Sequence, residues 1–324
     1  MRKLLFALLC GVLLQGIGGA VAETYPSHPV TLVVPFAAGG PVDTLARFVT
    51  ARMQNILGQN FIIENVTGAG GSIGVGRVAH AAPDGYTLVE GIWSTAVVNG
   101  AIYKLNYDVF NDFEPIALLT NGSQLIVIKK DNPANNLKEF IAWLKANPDK
   151  ASAGTAGVGS PQHIFGLQLQ KMTGTRFQFV HYRGGAPATQ DLVAGNIDLV
   201  IADQVTSLPQ IKAGTIKGLA YTGTTRLPTA PDVPTVAEAG LPEFTTSVWN
   251  GMWAPKGTPK AIVDKLNAAV IEALADPAAR ERLAALGQIV VPREQQSAET
   301  LRALHKAEIE KWWPVIKAAG IMQQ

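Results

Sequence analysis

Three short turns carry the residues most able to do chemistry. They are Ala38-Gly39-Gly40-Pro41, Thr155-Ala156-Gly157-Val158-Gly159-Ser160 and Arg183-Gly184-Gly185-Ala186-Pro187, and each precedes a helix. The first N–H groups of a helix have no intrahelical acceptor and sit at the positive end of its dipole. Pro41, Pro161 and Pro187 stand at or near the first helical position, where the N–H that proline lacks is not missed. One such turn is ordinary strand-to-helix punctuation. Three, spread over two units of the chain, point to a shared anion site between the units.

Other motif matches fail on position. Residues 154–160 mimic a phosphate-binding loop, but Gly159 stands where that loop needs its lysine, so nucleotide binding is not expected. Gly68-Ala69-Gly70-Gly71-Ser72-Ile73-Gly74 lacks the dinucleotide glycine spacing. Its last five residues fit G-x-S-x-G, the nucleophile elbow. Residues 65–69 separate them from the strand that an elbow leaves directly, so Ser72 reads as a helix cap. His163 follows Ser160 by three residues, but both lie in one helix turn with no acid at local spacing to orient the ring. A secreted serine hydrolase using Ser72 or Ser160 with His163 is therefore the rival function. His28, His80, His181 and His305 are scattered without H-x-x-H or H-E-x-x-H spacing, so neither a metal site nor a cofactor is expected. Two acids remain. Asp203 follows a buried strand, where an acid either holds a ligand ammonium or hydroxyl or caps the next helix. Asp43 sits in a first helical turn and would repel an anion that it faced. It reads as a positioner of the loop or of bound water.

The chain start has its own logic. Met1-Arg2-Lys3 is basic, residues 4–14 are mostly apolar, and Ala20-Val21-Ala22 is a small-x-small site, so residues 1–22 read as a secretory signal peptide cut after Ala22. Cys10, the only cysteine, lies inside that leader, so the mature chain is expected to hold no disulfide and no thiolate. Without Arg2 and Lys3 the 27 Lys+Arg become 25, equal to the 25 Asp+Glu. A neutral chain offers no footprint for a polyanion, so nucleic acid is not an expected partner.

The elements that must position these turns alternate. The pattern predicts strands over 30–35, 61–64 and 86–91 with helices over 44–57 and 72–82 between them, hence a parallel, doubly wound sheet. A second α/β unit follows: strands near 125–128, 152–154, 177–180, 197–202 and 219–222, with helices over 137–146, from Ser160, and over 188–193. The tail reads as helical over 259–275, 277–286 and 298–320, with Pro314 expected to kink or restart the last.

Taken together the motifs resemble the receptors of the tripartite tricarboxylate transporters, the Bug-type periplasmic binding proteins. Pro35-Phe36-Ala37-Ala38-Gly39-Gly40 with Asp43 is similar to their PFPPGGxxD. Glu64-Asn65 with Gly68-Ala69-Gly70-Gly71 and Ile73-Gly74 looks like their ENRPGAGGxIG, and Ala82-Pro83-Asp84-Gly85-Tyr86-Thr87-Leu88 like their APDGYTL. Ser152-Ala153-Gly154, Tyr182-Arg183-Gly184, Asp232-Val233-Pro234-Thr235 and Ala254-Pro255 extend the match over essentially the whole mature chain.

The resemblance implies an α/β, two-domain Venus flytrap of type II-like form, each domain a mixed, mostly parallel sheet flanked by helices. Residues 23–120 with 250–324 would form one domain and 121–249 the other, with two crossing strands and the ligand cleft between them. It also implies a monomeric periplasmic receptor, not an enzyme. Its ligand would be a small organic acid (mono-, di- or tricarboxylate, or aromatic), delivered to large and small membrane permease subunits. A ligand sensor feeding a signalling kinase is the variant of that reading. By family pattern, Phe36, Ala38, Gly39, Gly40 and Asp43 grip the carboxylate from one side, and Thr155, Val158, Gly159, Ser160 and His163 from the other. Ser94, Thr95, Arg183, Gly184, Ala186 and Asp203 complete the wall. Two departures stand out: Ala37-Ala38 replaces Pro-Pro, and Trp93, pointed inward, would shrink the pocket or stack on an aromatic acid.

Overall fold

The computed structural model describes residues 25–321 except Arg183 and Leu286. The expected leader, its cut after Ala22, Cys10 and Arg183 lie outside the described residues.

Val30–Val34 (β1) is an apolar, β-branched strand and sits mid-sheet. It pairs in parallel with Phe61–Asn65 (β2) and Thr87–Ile92 (β3). The helices between them are Pro41–Leu57 (α1) and Ser72–Ala79 (α2). α1 begins three residues earlier than its pattern suggests, because Gly40 already takes the cap position and Pro41 the first helical one. It stops at Gly58, whose left-handed backbone returns its N–H to Gln54 O. Beyond β3 a π-helical turn, Ser94–Val98, runs into the short helix Asn99–Ile102 (α3).

Two long strands then change the expected sheet. Phe113–Gly122 (β4) and Val248–Pro255 (β10) pair antiparallel with each other, and β10 pairs antiparallel with β3. Ile289–Val290 (β11) closes the order β11-β4-β10-β3-β1-β2. Parallel pairing is thus confined to β2, β1 and β3. The second sheet repeats the arrangement. Ser152–Thr155 (β6) pairs in parallel with Gln178–His181 (β7) and Leu199–Ala202 (β8), while Leu125–Lys129 (β5) pairs antiparallel with β8 and with Ile216–Tyr221 (β9).

Helices cover both faces. α1 and Lys260–Leu274 (α8) bury one face of the first sheet through Leu45, Val49, Leu266 and Val270. α2 and the C-terminal helix cover the other. The second sheet is flanked by Leu137–Ala146 (α4) and Pro161–Thr173 (α5) on one side, and by Gly185–Val193 (α6) and Gln204–Lys212 (α7) on the other. Pro277–Ala285 (α9) precedes the C-terminal helix Ala298–Ala318 (α10), which continues through Pro314 instead of restarting. Buried Trp312 and Ile316, and the Trp313 Nε1 bond to Val97 O, hold α10 to the core on both sides of the proline. Among the described residues no helix is long and apolar enough to cross a membrane.

Two chain crossings join the sheets. Only Ser123-Gln124 separates β4 from β5. Thr222, fully buried, stitches that crossing to the return path: its Oγ accepts the Gln124 N–H at 2.8 Å and donates to Thr246 O at 3.0 Å. The core is also continuous across the two units, because Phe165 of α5 packs between Trp93 and Trp312 of the first.

Candidate ligand-binding site

Four helix starts meet at one cavity of about 490 Å³. α1 contributes Gly40, Pro41 and Val42 from the first unit; α5 contributes Ser160, Pro161 and Gln162 from the second. Gly184, the cap of α6, and Asp203 to Val205, where α7 begins, complete the set. α1 and α6 carry no side-chain cap. Their first-turn amides therefore point out of the helix unspent, as an anion requires.

The first jaw is set from behind. Asp43 is 1% exposed, and its carboxylate accepts four N–H groups: Gly39 N at 2.8 Å, Arg47 Nε at 2.8 Å, Arg47 Nη2 at 3.0 Å and Asn65 Nδ2 at 2.9 Å. Asn65 Nδ2 also holds Phe36 O at 3.0 Å, so both ends of the 36–39 loop are tied to one pair of side chains. Burial alone would raise the Asp43 carboxyl, but the bonds from Arg47, Gly39 and Asn65 outweigh it and hold it at about 2. Asp43 does not line the cavity, and it consumes the Gly39 N–H. Gly40 N turns to Ala37 O at 3.3 Å. The loop glycines therefore shape the jaw, and the amides left to face a ligand are those of the helix start.

The second jaw uses a different clamp. The His163 ring accepts the Gly159 N–H at Nδ1, 3.1 Å away, so its proton sits on Nε2. Burial, with His181 nearby, lowers His163 to about 4 and keeps it neutral. Ser160 Oγ caps α5 by accepting the backbone N–H of His163 at 3.4 Å. The imidazole is thus committed to the loop and not to the serine. Ser72, the other nucleophile of the rival hydrolase reading, accepts from Asn99 Nδ2 at 3.0 Å. It is no cap either: Gly71 holds that position without a side-chain bond. The glycines there serve close packing, since a Cβ on Gly74 would lie 2.6 Å from Val66 O.

Of the residues singled out in the sequence, the structure brings Phe36, Gly40, Ser94, Val158, Gly159, Ser160, Gly184 and Asp203 to the cavity wall. Ala38 and Gly39 are exposed on the first loop but do not line the cavity, buried Asp43 lies behind that jaw, and buried His163 behind the second. Thr155 is fully buried, with its Oγ 2.7 Å from His181 Nδ1. Thr95 folds back on Ile92 O at 2.9 Å, and Ala186 faces a separate groove between α6 and α7. Trp93 points away from the cavity, correcting the inward placement. It is fully buried, its Nε1 donates to Glu308 Oε2 at 2.8 Å, and its ring packs on Phe165 and Trp312. It neither narrows the cavity nor offers a stacking face. Asp203 lines the cavity and caps α7 together, one oxygen taking Thr206 N at 2.8 Å.

Sequence reading missed the amides. Asn99, Gln124, Gln162, Gln204, Asn250 and Gln288 all line the wall. Gln162 and Gln204 stand directly inside helix starts already identified, so they were findable. Asn250 belongs to a strand the pattern did not reveal. Among the described lining residues Asp203 is the one carboxylate, and there is no Lys, Arg or His. The wall is built for hydrogen bonds from dipoles rather than for ion pairing.

The sequence profile described as "Tripartite tricarboxylate transporter family receptor" matches residues 45–321. The chain belongs to this receptor family. An Agrobacterium vitis protein, of the class labelled UPF0065, is 39% identical over 318 residues, covering 98% of this chain and 92% of its own. Two solved structures share the fold closely. "Structure of periplasmic binding protein BugD" matches with TM-score 0.79 and 40% identity, over 93% of this chain and 100% of that one. MatC from Rhodopseudomonas palustris, solved with bound malate, matches with TM-score 0.80 and 42% identity, over 90% of this chain and 100% of that one. The receptor's two mixed sheets with a cavity between them are the architecture of these periplasmic binding proteins.

Proposed function

We propose that this receptor captures a small organic carboxylate in the periplasm and delivers it to the large and small permease subunits of a tripartite tricarboxylate-type transporter. The observation that carries the reading is the meeting of four helix starts, from both units, at one cavity with amide and hydroxyl walls. In the same reading the leader is cut after Ala22, the mature protein is a monomer, and residues 23–120 with 250–324 close on residues 121–249. The binding roles fall to the amides of Val42 and Gln162, to Ser94 and Ser160, and to the Gly184 turn with Arg183. Asp203 receives a hydroxyl or ammonium of the ligand.

The energetics suffice without a cation. Micromolar capture needs about 8 kcal/mol. Each hydrogen bond to a carboxylate contributes about 1.5–3 kcal/mol, so three or four supply roughly 5–12 kcal/mol before the costs of ordering and closure. The preformed jaws keep those costs low. A thermal-shift and calorimetric screen of mono-, di- and tricarboxylates and aromatic acids tests the proposal. We expect saturable binding of at least one acid with no turnover. Protein stripped of co-purified ligand that responds to none of them would sink it.

A further inference from the structure

One buried group takes no part in the cavity wall. Glu90 lies on β3 between Leu88 and Ile92, on the sheet face that α1 and α8 cover. It is 0% exposed, and neither carboxyl oxygen has a hydrogen-bond partner among the described residues. The register sets it opposite Met252, and sets its same-face neighbour Ile92 opposite Asn250. Asn250 does line the cavity. Its Nδ2 is spent on Thr120 Oγ1 at 2.8 Å and Gln288 Oε1 at 2.9 Å, while its Oδ1 is buried with no partner.

The charges around Glu90 are few. α1 brings Asp43 with Arg47 bonded to it. β1 presents Leu32 and Val34, β10 Met252 and Asn250, and α8 the apolar Leu266 and Val270. Arg47 is already committed to Asp43. An ionised Glu90 would be a second buried anion beside an ionised one, with no cation of its own. Burial first, and Asp43 second, push its carboxyl well above the usual range. The neutral acid instead has a proton to donate, and its face of the sheet carries an acceptor, Asn250 Oδ1, that lacks one.

We propose that Glu90 is carried as a neutral carboxylic acid beneath the cavity, as a positioning residue that makes capture of an anionic ligand proton-linked. The proposal rests on the carboxylate reading above. Loss of the proton sets a new negative charge under the first jaw. That charge repels an arriving carboxylate and the ionised Asp43 that holds the first jaw, so the jaw loosens as the site turns less favourable.

Two measurements on the intact mature protein test it. Infrared spectroscopy near neutral pH should show a protonated-carboxyl C=O band that is missing in Glu90→Gln. No such band, or a band that survives in Glu90→Gln, overturns the neutral acid. So does a Glu90→Gln chain that fails to fold where wild type folds, since glutamine has the shape of the protonated side chain. Calorimetry with malate, and with any other acid the screen finds, then reads the linkage. Wild-type affinity should fall by roughly threefold or more between about pH 6 and about pH 9, while Glu90→Gln stays level. Equal slopes in the two proteins overturn the linkage. A protein that shows the band but binds no acid at any pH overturns the carboxylate reading and the linkage with it, and leaves the neutral acid standing.

Discussion

The two jaws solve one problem with different chemistry. In the first, Gly39-Gly40-Pro41-Val42-Asp43 ends on a carboxylate that takes the Gly39 N–H. In the second, Gly159-Ser160-Pro161-Gln162-His163 ends on an imidazole that takes the Gly159 N–H. The spacing is identical. A glycine four residues upstream of the clamp, a cap, a proline at the first helical position and a clamp at the third recur in both units. What differs is charge. The first clamp is an anion neutralised by Arg47; the second is neutral and leans on no ion. The difference teaches that a jaw needs an acceptor at that helical position rather than a particular residue. The choice of acceptor sets the pH range in which each jaw holds.

Breaking the first clamp should have the larger effect. Asp43→Ala strips four donors of their acceptor and leaves the Arg47 guanidinium without its anion. We expect a loss of about 1.5–3 kcal/mol of stability, because the Gly39 and Asn65 donors lose a charged acceptor while the half-exposed Arg47 side chain stays solvated. Carboxylate affinity should fall on the order of a hundredfold, about 2.7 kcal/mol. Chemical denaturation and calorimetry measure both. Losses no larger than those of His163→Ala would erase the distinction between the jaws. His163→Ala removes one neutral hydrogen bond to the loop, worth about 1 kcal/mol, and some packing against Phe179, so affinity should drop roughly tenfold.

Acid separates the jaws without mutation. His163 folds with its ring near 4, below its unfolded value of 6.5. Its contribution to stability is fully present above the unfolded value and is lost as pH falls from 6.5 through about 4. His305, buried and lowered to about 4, adds to the same window. Asp43 is depressed from 3.8 to about 2, so its share is complete above 3.8 and disappears only as pH falls through about 2. Glu90 runs the other way. Its folded value is raised above 4.5, so its share of stability declines as pH rises from there. Melting curves across pH should therefore show an acid-side loss reduced in His163→Gln and an alkaline-side loss absent in Glu90→Gln. Ligand affinity near pH 4 should be more sensitive in the second jaw than in the first.

Much of this was legible in the sequence, and the reasons for the gaps are physical. The glycine-proline turns could be read because a helix start needs a cap and tolerates proline there. β1, α1 and α4 could be read because each has an unambiguous period or end signal. β4 and β10 could not. Both are buried on nearly their whole length, so neither alternates, and Pro115, Gly251 and Pro255 look like loop punctuation. Missing them hid Asn250 and made the sheets look more parallel than they are. Asp43 could be read as a positioner of its loop, as its bond from Gly39 N bears out, but the clamp role of His163 depends on a side chain turning back by four residues. Composition cannot report that.

The smallest expected effect tests where the jaws end and the scaffold begins. Trp93 stands one residue from Ser94, which lines the cavity, yet the π-helical turn that starts at Ser94 directs the indole into the core. Phe165 and Trp312 pack against it there, and Glu308 accepts from both indoles, at 2.8 Å from Trp93 and 3.0 Å from Trp312. Trp93→Phe keeps an aromatic ring against Phe165 and removes one donor from Glu308, which retains Trp312. Stability should fall by about 1–2 kcal/mol, from the lost bond and the unfilled volume. The rank order of acids in the binding screen should not change, because Trp93 does not line the cavity. A change in that order would mean that the interlobe aromatic contact, and not the jaws alone, decides which acid the cleft closes on.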